Sequence, residues 1–203
     1  MLFLLFLIPL TKSISYPNNS VQISRSPYLH EPSSVSHCNA RPLLGIAGAH
    51  RGYCESGWTY YNETDACYKN FFSATFDGAE SVCITVGGHL TSIHSYKENA
   101  FVAELAKSGK TLTGADDTTW IGLVRSDHLD SRLPVKWMWT DGTAVDYLEW
   151  TPDHPGAERC VLLWSDPHVS EYTKLWYRKW ANYPCRITVR TFVCKKMACY
   201  FNA

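Results

Sequence analysis

The sequence lacks several features that would assign it to a class of nucleic-acid-binding protein or enzyme. It has no polybasic run and no net charge, because 19 lysine and arginine residues balance 19 aspartate and glutamate residues. That balance argues against binding to nucleic acid or to an acidic membrane surface. No G-x-S-x-G or H-E-x-x-H motif is present, and histidines such as His89, His94 and His154 are scattered along the chain. We therefore expect that the protein is not an enzyme.

The sequence also has a single long apolar run, which lies at its N-terminus. Residues 2–10 are continuously apolar, and the small polar residues Ser13 and Ser15 follow. This run is about half as long as the ~20 residues that span a bilayer. We predict a signal peptide over residues 1–15 and a secreted, extracellular product without a membrane span. The alternative is a buried strand or helix, which fits less well because the run is not amphipathic.

No C-x-x-C pair is present either, although the chain has 8 cysteines. Structural zinc sites usually contain such pairs, so disulfide bonds are the better interpretation for a secreted chain. Spacing alone leaves the pairing of the cysteines open. Asn18 and Asn62 each begin an N-x-S/T sequon and are predicted glycosylation acceptors. Asn62 is the better candidate, because it lies in a predicted turn.

The chain divides into an extension and an organised domain. Residues 16–53 are rich in Ser, Pro and Asn and lack periodicity, which is typical of a poorly ordered segment. We place the domain at residues 54–199. Near its start, two aromatic runs flank residues 62–65 and predict a β-hairpin.

Two helices are predicted from the spacing of apolar residues. The first has Thr75 as its N-cap and ends at Gly87 and Gly88. Its apolar positions are Phe76, Ala79, Val82, Cys83 and Val86. The second begins with a capping box of Ser95 and Glu98. Its apolar stripe and its terminal glycine are Phe101, Val102, Leu105, Ala106 and Gly109.

After residue 118 the sequence consists of short strands and loops. Helices followed by strands, without βαβ alternation, predict an α+β domain with a mainly antiparallel sheet. Within it, Trp120 and Leu123 are expected to fill the core. Gly122 between them is expected to let another backbone or ring approach closely.

Six segments, in their order and spacing, resemble the C-type lectin-like domain. They are CESGWTYYNETDACYK, AESVCITVGGHLTSIHSYKENAFV, WIGL, WTDG, KWANYPC and TFVC. The resemblance covers residue 54 to about residue 196. It implies a long disulfide-bridged loop region and three disulfides, which are Cys54–Cys67, Cys83–Cys194 and Cys160–Cys185.

Cys38 and Cys199 fall outside those three pairs. Because the ends of a domain often lie close together, we predict that they bond to each other. The alternative is a bridge between chains in a disulfide-linked dimer.

The resemblance also implies where a sugar would bind. Sugar-binding members hold calcium with side-chain oxygens from a Glu-Pro-Asn or Gln-Pro-Asp motif, a following acid and a Trp-Asn-Asp triplet. Here the matching positions are His154-Pro155-Gly156, then Glu158, then Trp180-Ala181-Asn182. Calcium takes about 6–8 oxygen ligands, and one carboxylate with one amide is a poor set. We expect weak calcium binding or none, and no other metal or cofactor.

The remaining candidates for ligand contact are therefore weak ones, namely Asp153, His154, Pro155, Glu158 and Asn182. A zinc site of Asp153, His154 and Glu158 is an alternative, less favoured than a solvated polar loop. The tryptophans Trp139, Trp150, Trp176 and Trp180 are expected in the core rather than stacked on a sugar. Residues 165–174 form a long polar segment that could recognise a partner.

The resemblance implies a secreted recognition module. One hypothesis is that it binds a glycan without the usual calcium chemistry. The other is an extracellular protein-interaction module, for example in innate defence, with no sugar ligand.

Overall fold

The computed structural model describes residues 52–126 and 136–200 of the chain. The predicted signal peptide, residues 16–51 of the predicted extension, Asn18 and Cys38 lie outside them. No helix in the described part is long and apolar enough to cross a membrane.

The described residues form two α-helices, eight strands and two short 3₁₀ helices. The helices are α1 (Phe76–Thr85) and α2 (Tyr96–Ala106), and the 3₁₀ helices are Ala115–Asp117 and Glu171–Trp176. The strands are β1 (Thr59–Tyr61), β2 (Ala66–Ala74), β3 (His89–Leu90), β4 (Thr119–Arg125), β5 (Trp137–Trp139), β6 (Cys160–Leu163), β7 (Trp180–Tyr183) and β8 (Val189–Met197).

The strands form one sheet with the order β1-β2-β8-β4-β6-β7, to which β3 adds beside β8 and β5 beside β4. The β4–β8 pair is parallel, and the other pairs are antiparallel. The predicted α+β class with a mainly antiparallel sheet is confirmed.

Side chains of β4 alternate between two buried clusters, one on each face of the sheet. Trp120 and Val124 pack with α1 in one cluster, whereas Ile121 and Leu123 pack with α2 in the other. Between them, a Cβ at Gly122 would lie 2.5 Å from the carbonyl oxygen of Leu90. The prediction that this glycine admits another backbone is therefore confirmed.

The three disulfides implied by the resemblance are present, with Cα–Cα distances of 5.7 Å for Cys54–Cys67, 5.3 Å for Cys83–Cys194 and 5.1 Å for Cys160–Cys185. The Cys83–Cys194 bond joins α1 to β8 across 111 residues. In chain-entropy models a loop of that length contributes on the order of 4–5 kcal/mol to stability. Cys199 is disulfide-bonded, and its predicted partner Cys38 lies outside the described residues.

The helix predictions need three corrections. Val82 is exposed, because it points away from the face of α1 that packs on the sheet. The carboxylate of Glu98 accepts from the backbone of His94 rather than completing a capping box with Ser95, whose hydroxyl does cap the helix. Helix α2 ends at Ala106, before Gly109.

Candidate functional site

The loop between β5 and β6 lies along the outer edge of β7. The amide of Thr151 donates to the carbonyl of Trp180 at 2.8 Å, and the amide of Trp180 donates to the carbonyl of Glu149 at 2.7 Å. Since β7 pairs with β6 on its other side, these two bonds attach the start of the loop to the sheet.

Asn182 projects from β7 into this loop and is only 3% exposed. Its Oδ1 lies 2.7 Å from the Gly156 amide, which donates to it, and 2.7 Å from Nδ1 of His154. Its Nδ2 donates to the carbonyls of Gly156 at 3.0 Å and Glu158 at 2.5 Å. A side-chain amide has two acceptor lone pairs and two N–H groups. All of these are used within the protein.

These contacts also fix the orientation of the Asn182 side chain. The Gly156 amide can only donate and the two carbonyls can only accept, so the orientation of the Asn182 amide is determined. Nδ1 of His154 lies close to two groups of Asn182, since Oδ1 is 2.7 Å away and the backbone amide donates to Nδ1 at 3.2 Å. The imidazole ring stacks on Tyr183 with centroids 5.9 Å apart. Its Nε2 makes no polar contact with a described residue.

The predicted site residues are only partly brought together. His154 and Asn182 are in contact, and Glu158 joins them through its backbone carbonyl. The side chains of Asp153, Pro155 and Glu158 are exposed. Among the described residues, none of these three side chains makes a polar contact with the others. The His154–Pro155 peptide bond is cis.

Two further positions that supply calcium ligands in the sugar-binding members carry no side-chain oxygen here. Ala181 is fully buried and packs in the cluster that contains Trp120. Gly156 carries no side chain. Within residues 52–126 and 136–200, no three His, Cys, Asp or Glu side chains are arranged to hold a metal ion.

The four tryptophans of this region pack against one another or against the core. Trp139 and Trp180 are fully buried, and Trp150 and Trp176 are partly buried. Trp180 also donates from Nε1 to Oδ1 of Asn99 on α2 at 2.8 Å. The interpretation as core is correct for Trp139 and Trp180.

A charged group beside the loop was not anticipated from the sequence. Glu149 forms an ion pair with Lys179 and accepts from the hydroxyl of Tyr147 at 2.6 Å. Burial opposes ionisation of Glu149, but the bonds from Lys179 and Tyr147 prevail and lower its pKa. Burial and the same carboxylate raise the pKa of Tyr147. The one sequence feature that could have indicated this group is the alternate spacing of Tyr147 and Glu149.

His94 lies between a hydroxyl and a carboxylate, an order of groups that resembles a hydrolytic triad. Its Nδ1 is 2.7 Å from Oδ1 of Asp146, and its Nε2 is 3.2 Å from Oγ1 of Thr143. The Thr143 hydroxyl, however, donates to Asp141 at 2.6 Å. His94 therefore does not take the hydroxyl proton, and Thr143 is not activated as a nucleophile.

The segment between β6 and β7 is anchored at its start by Asp166, which is fully buried. Its carboxylate accepts from the amides of Ser108 at 2.8 Å and Gly109 at 2.9 Å. It also accepts from Nη2 of Arg190 at 3.0 Å. These bonds tie the segment to the end of α2 and to β8.

The tip of the same segment is apolar and exposed, although the sequence there is polar overall. Val169 is 59% exposed and Leu175 is 83% exposed. The backbone around Val169 is nevertheless ordered by a bond from its amide to the carbonyl of Leu112 at 2.9 Å. Val169 is therefore an exposed apolar side chain on an ordered backbone, and Leu175 lies on the 3₁₀ helix Glu171–Trp176 of the same segment.

Comparisons with known proteins agree on the family. The family described as Lectin C-type domain matches residues 72–196. Snaclec A9 of Macrovipera lebetinus is 35% identical over 145 residues, which cover 70% of this chain and 97% of the relative.

Solved structures give the same result for the fold. A calcium-independent type II antifreeze protein aligns with a TM-score of 0.56 and 27% identity, over 75% of this chain and 100% of the other. Human lithostathine aligns with a TM-score of 0.54 and 31% identity, over 72% of this chain and 100% of the other.

Proposed function

Because the chain belongs to the C-type lectin domain family, we propose that it is an extracellular recognition module whose binding does not depend on calcium. The relatives and fold neighbours are lectin-like binding modules, which supports recognition rather than catalysis. The unactivated hydroxyl of Thr143 supports the same choice.

The observation that carries the proposal is the set of donor atoms at the family's calcium position. Glu158 supplies the one carboxylate, Gly156 supplies no side chain, and Ala181 supplies a buried methyl group. The remaining oxygen, Oδ1 of Asn182, already accepts from the Gly156 amide and lies 2.7 Å from Nδ1 of His154. Calcium needs about 6–8 oxygen ligands, and this loop offers too few free ones.

The extracellular setting is supported by the disulfides, since three disulfides in one domain are typical of secreted proteins. Asn62 is exposed at the turn between β1 and β2, as an acceptor for N-glycosylation must be. Protein secreted from a eukaryotic host should therefore lose mass when treated with an N-glycosidase.

For the ligand, a protein surface fits the geometry better than a sugar. Sugars are bound through many polar groups, whereas the segment between β6 and β7 exposes two large apolar side chains, Val169 and Leu175. Apolar side chains held in water on an ordered backbone bind a partner with little loss of conformational entropy. We therefore assign partner contact to the segment between β6 and β7.

A pull-down from extracellular fluid tests this assignment. The double variant Val169→Ser and Leu175→Ser should lose captured partner by about tenfold or more, since each truncated apolar contact costs about 1 kcal/mol or more. Met197→Ser is the matched control, because Met197 is also exposed but lies on β8 beside the β1–β2 hairpin. Equal capture by the double variant and the control would contradict the assignment.

A glycan array decides between the two ligand classes. We expect no glycan signal in either calcium or chelator. A glycan signal that persists in chelator would mean that binding is independent of calcium but that the ligand is a glycan rather than a protein. A signal that chelator abolishes would contradict the proposed function.

A further inference from the structure

We propose that Asn182 is a built-in staple that holds the 153–159 loop in one conformation, in the place of a metal ion. This inference rests on the proposed function, because a staple matters only where no ion organises the loop. It adds that the loop is ordered by the protein itself, so its shape does not change with calcium concentration.

The first argument is the number of points that one side chain connects. The Asn182 amide bonds to His154 and to both backbone polar groups of Gly156, and it reaches the carbonyl of Glu158. These contacts extend over five successive loop residues. A metal ion orders a loop in the same way, by gathering several of its polar groups around one centre.

The second argument is chemical. The carbonyls of Gly156 and Glu158 both require donors, and both receive them from Nδ2 of Asn182. An aspartate at position 182 would place an acceptor oxygen against two other acceptor oxygens in a buried site. The carboxylate that calcium favours and the amide that the staple requires therefore exclude each other at this position.

The third argument concerns what the stapled loop leaves free. Nδ1 of His154 is used by Asn182, so Nε2 is its remaining polar atom, and no described residue contacts it. The carboxylate of Glu158 is exposed and likewise has no polar contact among the described residues. This ring nitrogen and this carboxylate are the polar groups that the stapled loop leaves free for a ligand.

The test is hydrogen exchange by NMR on the isotope-labelled full chain with intact disulfides. In chelator, we expect slow exchange of the Gly156 amide and of the Asn182 side-chain NH₂ protons, and excess calcium should change neither rate. Rapid exchange in chelator, or protection that appears only with calcium, would overturn the proposal. This measurement needs no variant and is therefore independent of whether a variant folds.

Two variants sharpen the result. Asn182→Asp should speed exchange of the Gly156 amide by about tenfold or more. Gly156→Ala should preserve it, because the new Cβ would meet only Oδ1 of Asn182, at 3.9 Å. Unchanged exchange in Asn182→Asp would overturn the staple.

The outcome is separable from that of the proposed function. If the Gly156 amide exchanges rapidly in chelator and the protein binds no calcium, the staple is contradicted but the proposed function stands. Calcium binding with micromolar affinity would remove the proposed function.

Discussion

The contribution of His89 to stability depends on pH. Its Nδ1 lies 2.5 Å from Oε1 of Glu80, which is 4% exposed and whose Oε2 accepts from the amide of Leu90. The hydrogen bond to Glu80 raises the pKa of His89, and burial of the ring opposes it only in part. The folded protein therefore favours the protonated imidazole.

A group whose pKa is higher in the folded state stabilises that state below its unfolded pKa, about 6.5 for histidine. The stabilisation is lost as the pH rises through the folded pKa. We expect His89→Gln to lower the free energy of unfolding by about 1–2 kcal/mol at pH 5.5 and by less at pH 9. Urea denaturation at both pH values measures this.

The control for that experiment is Lys97→Gln, since the hydrogen bond to Glu63 raises the pKa of the exposed Lys97 further above this pH range. If the loss in free energy of unfolding caused by His89→Gln is larger at pH 9 than at pH 5.5, the ring is not held in its protonated form.

Asn182 shows what a single residue reveals before its neighbours are known. The sequence identifies it as an amide in the place of a carboxylate, which predicts the loss of a calcium ligand. It does not reveal that the amide bonds to residues 26 and 28 positions earlier. Those contacts depend on how the loop folds back along β7, which no local pattern encodes.

At the scale of elements, α2 is fixed to the sheet by Glu98. This carboxylate is fully buried and accepts from the Tyr68 hydroxyl on β2 at 2.6 Å and from Nζ of Lys195 on β8 at 2.7 Å. It also accepts from the amide of His94, which precedes the helix. Burial and the charge of Glu98 raise the pKa of Tyr68, so its hydroxyl remains a donor.

Removing Glu98 should remove its hydrogen bonds from the helix to both strands. We expect Glu98→Ala to lower the free energy of unfolding by about 3–5 kcal/mol, because Lys195 would keep a buried charge without its partner. Glu104→Ala is the matched control on the same helix. Its carboxylate is 48% exposed and pairs with Arg178, so it should cost about 1 kcal/mol or less. Equal losses in urea denaturation would contradict the role of Glu98.

The helices also show which part of an element is predictable. Both start residues, Thr75 and Ser95, follow from local capping chemistry, and both side chains cap as predicted. The exposure of Val82 and the partners of Glu98 were not predictable, because they depend on which face meets a sheet formed by residues distant in sequence.

For the whole molecule, the family and three of the disulfides were available from the resemblance, because six motifs occur in the family's order and spacing. The Cys83–Cys194 bond closes the domain and β7 supports the loop. The apolar tip at Val169 and Leu175 was not available from the sequence. Its residues are embedded in a polar segment, and their exposure depends on how that segment, which Asp166 anchors, folds against residues distant in sequence.

Isothermal titration of calcium into the full chain tests calcium independence most directly. We expect no saturable heat below about 1 mM calcium, which is the weak end of extracellular calcium sites. A saturable isotherm with micromolar affinity that Glu158→Gln abolishes would mean that this loop has kept the ion.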